Sequence, residues 1–321
     1  MRRKLIPDLL ASIICILFMN LFSCESGSKD EAKYPDISRA ESLPVDKVKR
    51  TPESDMYPPV LHSTEWEYPV PIGTPVNTAG AEDSPFIPAD RDELYFFFTP
   101  DVRIPAEQQI FDSVTGIYVS EYSNNTFSEP ERVWLQDPGK LSLDGAEFVE
   151  GNTMLFATAR EGYTGIHWFS AEYIEGKWAN WQNADFESGF EVGELHVHGN
   201  ELYYHSYRSG GQGSLDIWKL TLTNSEWQNP ENVTAINSSS DEGWPYVTRD
   251  GNELWFNRTY QGTPGIYRSI KQGEDWQVPE LIISQFAGEP TLDKDGNILF
   301  VHHYYEEGVM IEADIYIAYK K

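Results

Sequence analysis

Acidic side chains stand at the start of several short apolar segments of this sequence, and they are the first candidates for chemistry. Two carboxylates that share a water-accessible cleft can hydrolyse a glycosidic bond when their surroundings keep one of them protonated. Asp83, Glu147 and Glu194 are the acids that could act in this way, while Glu242 and Glu289 are candidates for contact with a ligand. Because acids recur with the repeat described below, the pattern favours a structural role for them.

Histidines are concentrated in the segment GELHVHGNELYYHSYR, residues 193–208. His196 and His198 are two residues apart, so they share one face of a strand. With Glu194 they could bind a divalent metal, or they could act as acid and base in a lyase reaction. The sequence fixes no third ligand. We therefore predict no metal site and no cofactor, and we keep His196 as a catalytic candidate.

Basic and aromatic side chains near the same segments are candidates for contacts with a ligand. An arginine there could clamp a ligand carboxylate, although it also suits an ion pair within the repeat. Aromatic rings near loops could stack on sugars or peptides. The candidates of this kind are Arg160, Arg208, His205, Trp244 and Tyr246.

Charge and cysteine content exclude several kinds of partner and site. The chain has 51 acidic and 24 basic residues, a formal net charge of −27. Such a charge repels phosphate backbones, so nucleic acid is not expected as a partner. The two cysteines, Cys15 and Cys24, both lie near the amino terminus, which leaves no disulfide or cysteine site for the rest of the chain.

The amino-terminal residues predict export. Arg2, Arg3 and Lys4 precede the apolar run LLASIICILFMNLF, residues 9–22. This run is short for a membrane-spanning helix and suits the core of a signal peptide. Residues 1–23 are therefore predicted to be a signal peptide.

The end of this run predicts a lipid anchor. Leu21-Phe22-Ser23-Cys24 resembles a bacterial lipobox, and the resemblance implies that Cys24 carries lipid after cleavage. Residues 24–60 are rich in Ser, Lys, Asp, Glu and Pro, which predicts a disordered tether. Lys29-Asp30-Glu31 resembles the export signal of surface lipoproteins in the Bacteroidota. The predicted location is the outer membrane, on the cell surface or the periplasmic face.

Apolar strands recur about every 50 residues along the remainder of the chain. One isoleucine marks each copy, at intervals of 49, 51, 49 and 49 residues: Ile117, Ile166, Ile217, Ile266 and Ile315. A second apolar strand precedes each of them, in most copies after a turn that contains Gly with Asn or Asp. An aromatic residue follows four of them by ten or twelve positions: Phe127, Trp178, Trp227 and Trp276. Five such copies predict a β-propeller.

The fifth copy ends at DIYIAYKK and lacks its own outer aromatic strand. The segment STEWEYPVPIGTPVNTA from Ser63 parallels NSEWQNPENVTA from Asn224, which predicts that Trp66 lies in the outer strand of the last blade. Pairing of the two chain ends would remove exposed strand edges. The predicted fold is all-β: a five-bladed β-propeller over residues 61–321, closed by pairing of its N- and C-terminal strands.

Several segments resemble a known repeat family. YYHSYRSGGQGSLDIWKL, LFATAREGYTGIHWFS and EPTLDKDGNILF are similar to the WD40-like PD40 repeat of TolB-type propellers. The resemblance covers residues 63–321 and implies the repeat architecture of a bacterial, Bacteroidota-like lipoprotein. The first copy departs from it by an insertion, TPDVRIPAEQQIFDSVT, and the second lacks the Asp-Gly turn. The matching positions are Glu289-Pro290, Asp295-Gly296, Ser206, Arg208, Gly210 and Asp216-Ile217.

In propellers the first strand of each blade lines the central channel, so the acids named above would form one negative funnel. The favoured function is non-enzymatic binding of a glycan, a peptide or an envelope protein at its mouth. The first alternative is a polysaccharide-cleaving enzyme, a glycoside hydrolase or a lyase, that uses the carboxylates or histidines. A structural partner of an outer-membrane complex is the second.

Overall fold

The computed structural model describes residues 33–123, 126–186 and 191–321. It divides the chain after Lys33, and the unit that begins at Tyr34 is built mainly from β-strands. The predicted signal peptide, Cys24 and the first residues of the predicted tether lie outside the described residues. Within the described ranges, no helix has the length and apolar character needed to cross a bilayer.

Short elements precede the main sheets. They are the helix α1 (Arg39–Ser42), a 3-10 helix (Pro52–Ser54) and the strands β1 (Val60–Leu61) and β2 (Val70–Pro71). Ser38 caps α1: its side chain accepts a hydrogen bond from the Glu41 amide, and the Glu41 carboxylate accepts one from the Ser38 amide.

Five antiparallel meanders follow, because short apolar strands alternate with tight turns. The first has β3 (Ala81–Phe86), β4 (Glu93–Thr99), β5 (Gly116–Ser123), β6 (Thr126–Phe127) and β7 (Glu131–Arg132), with the helix α2 (Ala106–Gln109) between β4 and β5. The second has β8 (Ser142–Glu150), β9 (Thr153–Arg160), β10 (His167–Ile174) and β11 (Lys177–Asn183). The third has β12 (Leu195–His198), β13 (Glu201–Ser206), β14 (Asp216–Thr223) and β15 (Glu226–Asn232).

The last two meanders borrow strands from the amino-terminal segment. The fourth has β16 (Glu242–Val247), β17 (Glu253–Tyr260), β18 (Thr263–Gln272), β19 (Asp275–Trp276) and β20 (Glu280–Ser284), and β1 pairs with β20. The fifth has β21 (Ala287–Leu292), β22 (Ile298–Glu306) and β23 (Val309–Ala318), and β2 pairs with β23. One parallel bridge, Ala313 to Ala81, joins β23 to β3.

Four of the five repeat isoleucines are buried in equivalent positions. Ile117, Ile217, Ile266 and Ile315 are each 0% exposed. The expectation for Ile166 was wrong, since this side chain is 73% exposed and precedes β10. Trp168 pairs with Ala157 in the register that the other isoleucines occupy, and it is buried instead. The loop before β10 therefore shifts the repeat by two residues.

The segment around Trp66 pairs with the carboxyl-terminal strand. Trp66 forms a bridge to Lys320, and Val70 of β2 pairs with Ile317. The Trp66 ring is 1% exposed and packs edge-on against Trp255 of the fourth meander at a centroid distance of 5.5 Å. The other predicted outer aromatics also lie in outer strands, namely Phe127 in β6, Trp178 in β11, Trp227 in β15 and Trp276 in β19.

The segment from Tyr34 to Leu61 contacts the meanders, whereas the sequence predicts a solvated tether up to residue 60. Three of its side chains pair with strands of the meanders: Arg39 with Glu82, Lys49 with Glu312 and Asp314, and Asp55 with His302. The Arg39 side chain also donates to the Val76 carbonyl at 2.7 Å and is almost fully buried. These contacts hold the segment against the sheets. The domain boundaries themselves stay a prediction.

Candidate functional site

The first strands of all five meanders meet around one small cavity, of about 40 Å³. Its lining includes Phe86 of β3, Glu147 of β8, His196 of β12, Trp244 of β16 and Glu289 of β21. Glu194, which immediately precedes β12, also lines it. We use the name acidic mouth for this cavity, its three lining carboxylates (Glu147, Glu194 and Glu289) and Asp83, which immediately precedes the lining residue Ser84.

A shared bulge positions several of these side chains. The pairing register shifts once in each of β3, β8, β16 and β21. The first residue inside each shift is not glycine, yet its φ is positive, at 48° to 55°. These residues are Ser84, Ala146, Trp244 and Glu289. A left-handed residue in a strand re-aims the side chains beside it. Aligning the inner strands on this bulge therefore shows which of their residues occupy equivalent positions.

In that alignment the acidic mouth departs from the repeat. Asp83 stands where the equivalent residue in β8, β16 and β21 is glycine. Glu289 stands where β3, β8 and β16 have Ser, Ala and Trp, and Glu194 has the equivalent position in the third meander. Glu147 stands where β3, β16 and β21 have proline. The expectation that all inner-strand acids recur with the repeat was therefore wrong for Asp83 and Glu147.

A second set of acids does recur, and each of its members has an arginine partner. They occupy the position one residue before Asp83 and its equivalents. The pairs are Glu82 with Arg39 at 3.2 Å, Asp144 with Arg160 at 3.0 Å and Glu242 with Arg258 at 2.7 Å. All three carboxylates are fully buried. Two of these pairs join the first and second strands of one meander, and the third joins β3 to the amino-terminal segment, so the set has a structural role.

Within the described residues, no carboxylate of the acidic mouth forms an ion pair with Lys or Arg. Asp83 lies 3.8 Å from Nε2 of His303, and Glu289 accepts a hydrogen bond from the Ser84 hydroxyl at 2.6 Å. Both side-chain oxygens of Glu147 are buried and have no hydrogen-bond partner. The mouth thus gathers four carboxyl groups that no Lys or Arg side chain pairs with among the described residues.

Burial and mutual repulsion change the acidities of these groups. Burial, together with the charge of Glu194, raises the pKa of Glu147 to about 8. Burial and the charge of Asp83 raise the pKa of Glu194 to about 8 and that of Glu289 well above its usual range. Burial opposes ionisation of Asp83 as well, but the hydrogen bond and charge of His303 lower its pKa. The mouth therefore holds ionised and protonated carboxyl groups side by side.

His303 was not among the predicted site residues. One ligand atom from each of Asp83, Glu289 and His303 lies within 4.8 Å of the other two. His303 is adjacent in sequence to His302, which is buried and bound to Asp55 at 2.7 Å. The contact of His303 with Asp83 joins the last meander to the first, so no pattern within one repeat predicts it.

The predicted grouping of His196, His198 and Glu194 is not found as a metal-binding set within the described residues. His196 packs among aromatic rings, with centroid distances of 4.8 Å to Tyr246 and 5.1 Å to Phe148. Burial lowers its pKa to about 3, so the imidazole is neutral at ordinary pH. His198 instead lies near the Arg249 carbonyl, at 3.3 Å.

The predicted ligand-contact residues separate into two groups. Trp244 and Tyr246 line the cavity, and His205 lies beside Trp244 at a ring distance of 4.7 Å. Arg160 and Glu242 belong to the recurring ion pairs. Arg208 lies over the Trp218 ring at 4.7 Å and donates to the Tyr204 hydroxyl. These three are held by structural contacts and do not line the mouth cavity.

A larger cleft of about 920 Å³ lies among the turns that follow the inner strands of the first, fourth and fifth meanders. Two of its basic side chains are held by an acid and by the backbone. Lys294 pairs with Asp92 at 2.7 Å, and Arg249 donates to the Ala89 carbonyl at 3.0 Å. Tyr246 is the predicted site residue that also lines this cleft. The chemistry-bearing groups therefore concentrate at the acidic mouth.

Comparison with known proteins gives similarity of fold. No protein-family model matches the chain, and no curated protein sequence matches it. The endo-arabinase of Bacteroides thetaiotaomicron VPI-5482 has a TM-score of 0.50 at 15% identity, over 77% of this chain and 97% of that one. An α-L-arabinofuranosidase from Lactobacillus brevis has a TM-score of 0.47 at 12% identity, over 76% and 92%.

TolB from Acinetobacter baumannii is also similar, with a TM-score of 0.46 at 13% identity. The match covers 84% of this chain, which spans 65% of the length of TolB. The all-β architecture and the similarity to the endo-arabinase support a β-propeller fold for this protein.

Proposed function

We propose that this chain is a five-bladed β-propeller lipoprotein with PD40-type repeats, and that it is a binding module whose ligand engages the acidic mouth. The five meanders support the blade number. The pairing of Trp66 with Lys320 and of Ala313 with Ala81 supports ring closure through the chain ends. The lipobox ending at Cys24 supports attachment to the outer membrane.

One observation carries the binding function. Three carboxylates line one cavity, with Asp83 beside it, and none of the four has a Lys or Arg partner among the described residues, while the buried acids Glu82, Asp144 and Glu242 each have one. Burying acids in this way destabilises the folded protein. Such groups suit a ligand that supplies the missing partners. The ligand therefore presents hydrogen-bond donors or positive charge, as a glycan or the side chains of a peptide or envelope protein do.

Binding of the full chain to glycan and peptide arrays tests this proposal. We expect a ligand whose affinity falls at least about tenfold in the double variant Glu147→Gln, Glu194→Gln, because amides cannot ionise against the donors or positive charge that the ligand brings. The matched control is Glu274→Gln, since the Glu274 side chain is 97% exposed. A ligand bound equally well by the double variant would refute a role for the acidic mouth.

Glycan cleavage is the second candidate function, favoured by the divergent acidities within the mouth. The pKa of Asp83 is lowered while that of Glu194 is raised to about 8, so a base and an acid coexist there at neutral pH. Asp83 would activate water and Glu194 would protonate the leaving oxygen. The endo-arabinase with the similar fold makes arabinan the first polysaccharide to test.

Release of reducing ends from arabinan and other polysaccharides separates the two candidates. Turnover that Glu194→Gln abolishes and Glu274→Gln leaves intact would establish the enzyme and overturn a purely binding function. The rate should fall above a pH of about 8, where Glu194 loses its proton. Binding without turnover would support the binding module.

A further inference from the structure

We propose that the acidic mouth binds one divalent cation of the manganese-to-zinc series, with Asp83, Glu289 and His303 as its protein ligands. The inference rests on the proposed function, because it specifies what the same mouth binds. The three ligand atoms lie within 4.8 Å of one another. Bonds of about 2.0 to 2.3 Å to a shared ion separate ligand atoms by roughly 3 to 4.5 Å, so small side-chain rotations complete the set.

A second, independent observation points to an ion at this place. Glu147 is 6% exposed, lines the same cavity as Glu289, and has two buried oxygens without a hydrogen-bond partner. A buried carboxyl group in that state is destabilising. Water bound to a cation at the mouth is a strong hydrogen-bond donor and would satisfy it. Glu147 therefore faces the cavity as an acceptor for the ion's water shell.

Glu289, one of the three proposed ligands, lines the cavity, which offers room for water beside the ion. A volume of about 40 Å³ exceeds that of one ordered water site, which needs about 10 to 15 Å³. Asp83 and His303 also keep partial exposure, 26% and 15% of their side chains, so the site is open to solvent. An ion can enter, and a coordination position remains for water or a ligand.

The donor set selects the kind of cation. Calcium and magnesium prefer sites made of oxygen atoms alone, whereas a set of two carboxylates and one imidazole suits manganese, iron or zinc. Neighbouring groups orient the two carboxylates. The Ser84 amide donates to Asp83 at 2.9 Å, and the Ser84 hydroxyl donates to Glu289 at 2.6 Å. Outer hydrogen bonds of this kind are typical of metal sites.

The position of Asp83 agrees with a dedicated role. At the equivalent place of β21, a Cβ atom on Gly288 would lie 2.7 Å from the Asn257 side chain. Gly145 and Gly243 are also tightly packed, at 3.1 Å from Phe97 and from His205. The repeat therefore favours glycine here for close packing, and β3 departs from it to place a carboxylate next to His303.

Zinc titration of the metal-free full chain tests the inference. The protein is dialysed against a chelator, and Zn²⁺ is added while heat and Zn²⁺ content are measured, with Ca²⁺ and Mg²⁺ titrated separately. We expect one equivalent of Zn²⁺ to bind, and much weaker binding of Ca²⁺ and Mg²⁺. His303→Ala and Asp83→Asn should each weaken Zn²⁺ binding at least about tenfold, and Glu289→Gln should do the same.

The chain offers a matched control in another histidine–carboxylate pair. His167 and Asp185 lie 2.7 Å apart on an exposed surface, so His167→Ala should leave Zn²⁺ affinity unchanged. Circular dichroism confirms that each variant is folded before it is titrated. Because three ligand variants are tested separately, the test remains possible if one of them does not fold. Stoichiometric binding that persists in all three, or no Zn²⁺ binding at all, would overturn the inference.

The titration is made without glycan or peptide, so the two proposals can fail separately. If the protein binds no Zn²⁺ but still binds its ligand through Glu147 and Glu194, the cation site is refuted and the proposed function stands. If the protein binds Zn²⁺ but its ligand affinity does not depend on Glu147 and Glu194, the proposed function alone is refuted.

Discussion

Glu82 and Glu147 are both buried carboxyl groups on inner strands, yet their surroundings differ. Glu82 accepts hydrogen bonds from the Thr78 amide and from Arg39, and burial raises its pKa to about 7. Glu147 has no hydrogen-bond partner for either oxygen, and its pKa is raised further, to about 8. The partner therefore distinguishes a carboxyl group that stabilises the propeller from one that is available to a ligand.

Arg39→Met tests the structural pair at Glu82. Removing the arginine leaves Glu82 fully buried and facing no cation, which should lower the free energy of unfolding by about 3 to 5 kcal/mol at pH 7.5. Urea denaturation measures the change. The control is Arg103→Met, whose side chain is half-exposed in its pair with Asp101, so the substitution should have little effect on stability. Equal losses in both variants would contradict a structural role for Arg39.

Sequence reasoning identified many of the mouth residues but not their arrangement. Glu147, Glu194, His196 and Trp244 could be named because they lie on or beside inner strands, and the fold brings them to one cavity. The distinction between paired and unpaired acids could not be seen, since Arg39 lies in a polar segment that reads as a tether.

At the level of secondary structure, the 50-residue period predicted the strands well, because buried apolar residues alternate with turn residues. It failed at Ile166, where the loop before β10 moves the buried position to Trp168. The bulges of the inner strands could not be predicted, since non-glycine residues such as Trp244 adopt the positive φ there. Those bulges orient the side chains of the acidic mouth, so the geometry of the site depends on a feature that could not be predicted from the sequence.

Deleting residues 34–59 tests the role of the amino-terminal segment. The deletion removes Arg39, Lys49 and Asp55, and it leaves their partners on the meanders buried without counter-charges. We expect the free energy of unfolding to fall by at least about 4 kcal/mol, measured by urea denaturation. Deletion of residues 104–110, which include the unburied helix α2, serves as the control and should have a small effect. An unchanged urea midpoint on deleting residues 34–59 would show that this segment is a passive tether.

For the molecule as a whole, stability depends on contacts between its two ends. Trp66 bridges Lys320 of the carboxyl terminus and packs on Trp255, and Lys320 lies over the Trp66 ring at 4.1 Å. The sequence predicted this pairing because the Trp66 segment parallels the outer strands of other copies. Long-range contacts without such a repeat, like that of Asp83 with His303, left no comparable pattern.

Trp66→Ala should destabilise the whole propeller. Loss of a fully buried indole at the joined ends removes packing against the fourth and fifth meanders, and we expect a decrease of about 3 to 5 kcal/mol in the free energy of unfolding. Thermal and urea unfolding measure it, with Val278→Ala as a control at a side chain that is 90% exposed. A loss no larger than that of the control would argue against closure through this segment.

The free energy of unfolding of Glu147→Gln and Asp144→Asn, measured between pH 5 and pH 8.5, tests the central claim most directly. The folded-state pKa of Glu147 is raised to about 8, so its contribution to stability falls as pH rises from about 4.5 to about 8. Relative to its effect at pH 5, Glu147→Gln should therefore stabilise the chain at pH 8.5 by about 4 kcal/mol. Asp144→Asn should destabilise it by about 3 kcal/mol at both pH values, because it breaks the buried pair with Arg160. Destabilisation by both substitutions at pH 8.5 would make Glu147 another structural acid and would contradict the acidic mouth as a functional site.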